Sequence, residues 1–87
     1  MHRVQWTRRA LKEAARLDRT DRERVVEAVG GLAVWPDCRQ WLDIKPLRRH
    51  DHQFRLRVGR FRVLFDVVEG LRVVSVERVR KRDERTY

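Results

Sequence analysis

The chain has 87 residues, enough for one domain spanning 1–87 around a single modest core. Apolar side chains make up 41% of it, too many for a disordered chain, and none of their runs approaches the roughly 20 residues of a membrane span. The net charge is +9, carried by 22 basic against 13 acidic side chains, and the single cysteine, Cys38, excludes an internal disulfide framework. No signal-peptide pattern opens the chain, so a cytoplasmic protein without a membrane partner is expected.

Arg3-Val4-Gln5-Trp6 alternate polar and apolar, which predicts a short first strand. Thr7 is placed to cap a helix whose apolar positions are Ala10, Leu11, Ala14 and Leu17, with Arg9, Lys12, Glu13 and Arg16 between them. Thr20 and Glu23 have capping-box spacing and predict a second helix with the stripe Val25, Val26, Val29, Leu32 and Ala33. Gly30-Gly31 weaken that helix and Pro36 ends it. The short link Asp18-Arg19-Thr20 predicts an antiparallel helix hairpin.

Beyond Pro36 the character changes. Leu42 to Lys45 reads as extended before Pro46, and Arg48-Arg49-His50-Asp51-His52 reads as a polar loop. Phe54, Leu56 and Val58 alternate with Arg55 and Arg57. Gly59 suits a tight turn, and Phe61, Val63, Phe65 and Val67 alternate with Arg62, Leu64 and Asp66. After a turn at Glu69-Gly70, a β-branched run extends from Leu71 to Val79. These three strands predict an antiparallel meander with one apolar face. The expected architecture is α+β in two layers, a helix hairpin on a mainly antiparallel four-stranded sheet.

The charge is unevenly spread. Residues 1–37 carry eight basic and six acidic side chains, residues 38–87 fourteen and seven, and all basic residues but Lys12, Lys45 and Lys81 are arginine. Alternation that turns Phe54, Leu56 and Val58 toward the helices turns Arg55 and Arg57 away from them. The next strand adds Arg62 to the same face. Strands lie about 4.8 Å apart, so these three guanidinium groups form one compact patch, with Arg82 and Tyr87 at its rim. Two readings fit such a patch: a phosphate-binding surface, or a solvated strand face whose charges oppose aggregation.

His50, Asp51 and His52 are three adjacent loop residues without the spacing of a dedicated metal site, and Cys38 has no nearby thiol, so no metal is assigned. Trp6 reads as core, Trp35 as helix-end packing and Trp41 as the most open of the three. Asp66 and Glu77 show no recognisable acid–base spacing, and no Ser-His-Asp set, phosphate-binding glycine loop or zinc-finger spacing is present.

The string from Phe54 to Phe65, with its R-L-R-V-G-x-F-R-V centre, resembles the RelE/ParE toxin superfamily. So does Val79-Arg80-Lys81-Arg82-Asp83-Glu84-Arg85-Thr86-Tyr87, a late basic stretch ending in tyrosine. The opening strand, Arg9-Ala10-Leu11-Lys12-Glu13 and the proline after the second helix fit as well, so the likeness covers nearly the whole chain. The resemblance implies the toxin of a type II toxin–antitoxin system, a RelE-like mRNA interferase that enters the ribosomal A site and cuts mRNA without metal or other cofactor. The RNA 2′-OH would attack the adjacent phosphate, and a cognate acidic antitoxin would neutralise the protein.

Matched by motif, the catalytic roles fall on Arg62, Arg82 and Tyr87. Arg55 and Arg57 would hold the flanking backbone, and Arg48, Arg49, Arg60, Arg80 and Arg85 would extend the RNA-binding surface. Where the best-known ribonucleases of the family carry lysines on the preceding strand, this chain has Arg55 and Arg57. A guanidinium is a poor general base, so the base is unassigned, with Lys81 the substitute at hand. The alternatives within the same fold are a ParE-like toxin that inhibits DNA gyrase and an inactive RNA-binding domain.

Overall fold

The computed structural model describes residues 1–82. It contains β1 (Arg3–Trp6), α1 (Arg8–Ala15), α2 (Arg19–Gly30), β2 (Ile44–Pro46), β3 (Phe54–Val58), β4 (Phe61–Val68) and β5 (Val73–Lys81). The sheet has five strands in the order β1-β5-β4-β3-β2, with β1 parallel to β5 and the other neighbours antiparallel. The α+β architecture is as expected, with one strand more. The added strand is β2, three residues long and on the sheet edge, where Pro46 costs no ladder hydrogen bond that a central strand would need.

Thr7 ties several of these elements together. Its hydroxyl oxygen accepts a hydrogen bond from the Ala10 N–H at 3.0 Å, the expected helix cap. Its own N–H donates to the Val76 carbonyl at 3.0 Å, and its hydroxyl donates to the Glu77 carbonyl at 3.2 Å. One residue therefore starts α1 and fastens it to β5. Within α1 the buried positions are Ala10 and Ala14, whose small side chains allow the helix close to the strand, while Leu11 is 54% exposed and does not belong to the apolar stripe.

The second helix begins two residues earlier than its capping-box spacing suggested. Asp18 is the cap, accepting from the Asp21 N–H at 3.0 Å. Glu23 pairs instead with Arg19 at 3.0 Å, one helical turn before it. Val25, Val29 and Leu32 are buried against the sheet, whereas Val26 is half exposed. The helix ends at Gly30 and a 3₁₀ turn covers Gly31–Val34. The Trp35–Pro36 peptide is cis. The Trp35 ring packs edge-on against Phe54 and Phe65, with centroids 4.8 and 5.6 Å away.

Gly59, at φ +56°, makes the turn from β3 to β4, a backbone conformation that side chains with a Cβ rarely adopt. The pairing of β4 with β5 contains a bulge. Opposite Leu64 and Phe65, β5 supplies three residues, Val76, Glu77 and Arg78. The extra residue shifts the alternation by one position. Val74, Val76 and Val79 therefore all face the core, and each is at most 5% exposed. Without the bulge, Arg78 and Arg80 would point at the helices and Val79 at water. The core also includes Leu56, Val63, Phe65 and Cys38, and burial pushes the Cys38 thiol above its ordinary pKa, leaving an apolar filler rather than a reactive group.

Thr7→Val keeps the β-branched shape but removes the helix cap and the hydroxyl tie to Glu77. It should lower stability by about 1–2 kcal/mol in urea unfolding at unchanged slope.

Candidate functional site

The bulge has a direct consequence for the outer face of the sheet. Arg57 on β3 lies opposite Arg62 on β4, and Arg62 lies opposite Arg80 on β5. Directly opposed residues project from the same side, so three guanidinium side chains form one row across three strands. The Arg82 N–H donates to the Arg60 carbonyl at 2.6 Å, adding a last rung that fixes the Arg82 backbone beside the row. Leu47, Arg55, Arg57, Arg62 and Arg82 line a cleft of about 250 Å³. Arg62 and Arg82, assigned from the motif, thus meet in one place with Arg55 and Arg57.

Among the described residues, Asp43 brings a carboxylate to this cluster. The Asp43 carboxylate lies 3.5 Å from the Arg55 guanidinium, whose side chain is only 13% exposed, and the Asp43 carbonyl accepts the Arg57 N–H at 2.9 Å. No carboxylate stands between Arg55 and Arg62 in sequence, but the chain before β2 brings one in space. Asp43 orients Arg55 and offsets one of the positive charges. The cleft keeps a strongly positive field, worth more at a half-buried surface than in open water.

The other expected site residues are distributed differently. Arg60, in the β3–β4 turn, leaves the outer face: its guanidinium lies over the Phe61 ring at 5.9 Å and meets Asp21 of α2 at 3.3 Å. Lys81 lies opposite Phe61, on the helix side of the ladder, and lines a second cleft rather than the one holding Arg62. Arg80, though in the row with Arg62, also borders the second cleft. Arg48 and Arg49 are exposed on the loop after Leu47, with Arg49 at φ 51°. Arg85 and Tyr87 lie outside the described residues.

Two polar assemblies were not evident from the sequence. The first closes the edge of β5. Strand β1 pairs only as far as Val76, and α1 covers the rest. There the Glu13 carboxylate accepts two hydrogen bonds from the Arg78 Nε at 3.1 Å, one from its Nη2 at 2.9 Å, and the Val79 N–H at 2.9 Å. Partial burial pushes the Glu13 carboxyl up. The Arg78 and Val79 hydrogen bonds and the charges of Arg78 and Arg9 outweigh it, holding the group below its ordinary value of 4.5.

The second assembly pins the loop before β3. Asp66 accepts from the Gln53 N–H at 2.7 Å and lies 3.1 Å from His52 Nδ1, while the Gln53 side-chain oxygen accepts the Val67 N–H at 2.7 Å. The Leu47 N–H donates to the Gln53 carbonyl at 2.8 Å, so this network places Leu47 at the arginine cleft. Ligand atoms of His52, Asp66 and Glu77 lie within 4.8 Å of one another, a grouping that fourteen- and eleven-residue separations hide in the sequence. Of the described residues, no helix is long and apolar enough to cross a membrane.

No family model matches the chain. A curated protein of Methanocaldococcus jannaschii named "Putative toxin RelE1" is 28% identical over 80 residues, covering 92% of this chain and 89% of that protein. Among solved structures, RelBE2 of Mycobacterium tuberculosis, a toxin–antitoxin complex, superposes with TM-score 0.78 at 28% identity, covering 93% of this chain and 98% of that one. The archaeal RelE–RelB complex of Pyrococcus horikoshii gives 0.80 at 22% identity, over 95% of this chain and 97% of that one. The isolated RelE toxin of E. coli gives 0.79 at 22% identity, over 99% and 89%.

A group whose folded pKa is depressed stabilises the fold above its unfolded pKa, and that stability is lost as pH falls through the folded value. Glu13→Gln should therefore cost about 1–3 kcal/mol at pH 7 in chemical unfolding. The difference from the parent should shrink as pH drops below 4.5.

Proposed function

We propose that this chain, which belongs to the RelE-like toxin superfamily, is the toxin of a toxin–antitoxin pair and cuts mRNA on the ribosome. The observation that carries this reading is the convergence of Arg55, Arg57, Arg62 and Arg82 on one cleft of the outer sheet face. In RNA transesterification the 2′-OH oxygen bonds to phosphorus as the bond from phosphorus to the 5′-oxygen breaks. The products are a 2′,3′-cyclic phosphate and a 5′-hydroxyl end. Negative charge grows on the non-bridging oxygens as the new bond forms, and guanidinium groups already held in place stabilise that charge without reorganising.

Arg62 and Arg82 are assigned to the phosphoryl oxygens. Arg62 stands on the central strand of the meander, with Arg57 and Arg80 beside it, and Arg82 closes the cleft from the end of β5. Arg55, oriented by Asp43, and Arg57 hold the neighbouring backbone. The 2′-OH proton requires an acceptor other than these arginines. Tyr87 is assigned to stack on a base or supply a proton to the 5′-oxygen. A chain of net charge +9 calls for an acidic antitoxin whose segments order over the basic face. The RelB partners of the similar complexes support that expectation.

The test is a translation extract programmed with a defined mRNA, with 5′ ends mapped by primer extension. The protein should produce discrete cuts within codons, and Arg62→Ala or Arg82→Ala should each slow cleavage by about 10²–10³-fold. Intact mRNA would overturn the nuclease reading. Intact mRNA together with blocked supercoiling by DNA gyrase would replace it with a gyrase-directed toxin.

A further inference from the structure

We propose a second phosphate-binding subsite, between α1 and the end of β5, that holds the RNA backbone flanking the Arg62 cleft. A cleft of about 570 Å³ opens there, lined by Glu13, Arg16, Arg78, Val79, Arg80, Lys81 and Arg82. Its one carboxylate is already committed, since Glu13 is held by Arg78 and by the Val79 N–H. That leaves the charges of Arg16, Arg80, Lys81 and Arg82. Among the described residues, no carboxylate lies within 4.0 Å of any of these four.

The register explains why the two clefts are continuous. Arg80 and Lys81 are successive residues on one strand, so they project to opposite sides of the sheet. The end of β5 is therefore basic on both sides, and Arg82 borders both clefts. A polyanion lying against Arg62 can continue past Arg82 and over the sheet edge onto Lys81 and Arg16. This gives Lys81 a role its position supports, as a point charge on a phosphate.

The lining also indicates the kind of occupant. Its one apolar residue is Val79, which is only 5% exposed. An amphipathic protein helix docks through several apolar anchors, which this cleft does not offer. A small-molecule site is lined mainly by apolar and aromatic groups, also missing from this lining. Phosphates spaced along a nucleic-acid strand need only the cations.

This inference rests on RNA being the ligand, not on its being cut, and the test separates the two. Affinity for a 2′-O-methyl RNA oligonucleotide, which cannot undergo 2′-OH attack, is measured over a range of NaCl concentrations. Each lost phosphate contact on a single strand should reduce the slope of log affinity against log salt by about 0.7. The double variant Arg16→Gln, Lys81→Gln should show a slope shallower by about 1.4. Arg19→Gln, at the start of α2 where Arg19 pairs with Glu23 and does not line the cleft, should leave it unchanged. Because Arg16 and Lys81 are exposed, unfolding midpoints of all variants should match the parent. An unchanged slope in the double variant overturns the subsite. So does a double variant that loses affinity for polyglutamate but not for RNA, which would assign the cleft to an acidic peptide. A reduced slope in a protein that leaves mRNA intact sustains the subsite while the nuclease reading falls.

Discussion

Backbone pairing between β4 and β5 runs from Phe61–Lys81 to Val68–Val73 with one extra residue inserted at Glu77. Because side chains in a strand alternate with period two, this single insertion decides which residues of β5 meet the core. Upstream of it Val74 and Val76 are inside; downstream Val79 is inside and Arg80 falls into line with Arg62. A slip of one residue would expose buried valines and bury arginines, so the hydrophobic core and the cationic row are enforced by the same register. Thr7 fastens this point from outside, bonding to the Val76 and Glu77 carbonyls while it starts α1.

The row of arginines works against stability by itself, since like charges directly opposed across strands repel. The chain moderates this with carboxylates brought from elsewhere. Asp43 meets Arg55, Glu13 takes Arg78, and Asp21 draws Arg60 round to the helix layer. The basic side chains Arg57, Arg62, Arg80 and Arg82 are gathered around the last turn of the ladder. An anionic ligand gains from a field that the fold has already assembled, so little reorganisation is needed when it binds.

Much of this organisation was legible in the sequence, and the exceptions have physical causes. The alternation of Phe54-Arg55-Leu56-Arg57-Val58 and of Phe61-Arg62-Val63 placed the core face and the arginine face, because both strands lie in regular antiparallel pairing. Arg60 escaped that logic since it sits in a turn, where alternation does not apply. The bulge was hidden, because Val74, Val76 and Val79 depart from strict period two only through a partner strand. Edge strand β2 was legible only as an extended segment before Pro46, since three residues carry too little pattern to show that it joins the sheet. The capping-box spacing of Thr20 and Glu23 pointed to the wrong cap, because Asp18, read as part of the link, takes the Asp21 N–H instead. The Glu13–Arg78 pair spans 65 residues and the His52–Asp66 contact 14, distances at which charge pairing leaves no periodic trace.

The central claim is that the guanidinium groups of Arg57, Arg62 and Arg82, which line one cleft, grip the same stretch of RNA backbone. Arginine side-chain Nε–Hε resonances, followed by NMR during titration with a 2′-O-methyl RNA oligonucleotide, measure this directly. The account predicts that the Arg57, Arg62 and Arg82 signals move together along one binding curve while Arg60, held by Asp21, stays still. Independent curves for the three, or an Arg60 shift as large as theirs, would contradict it.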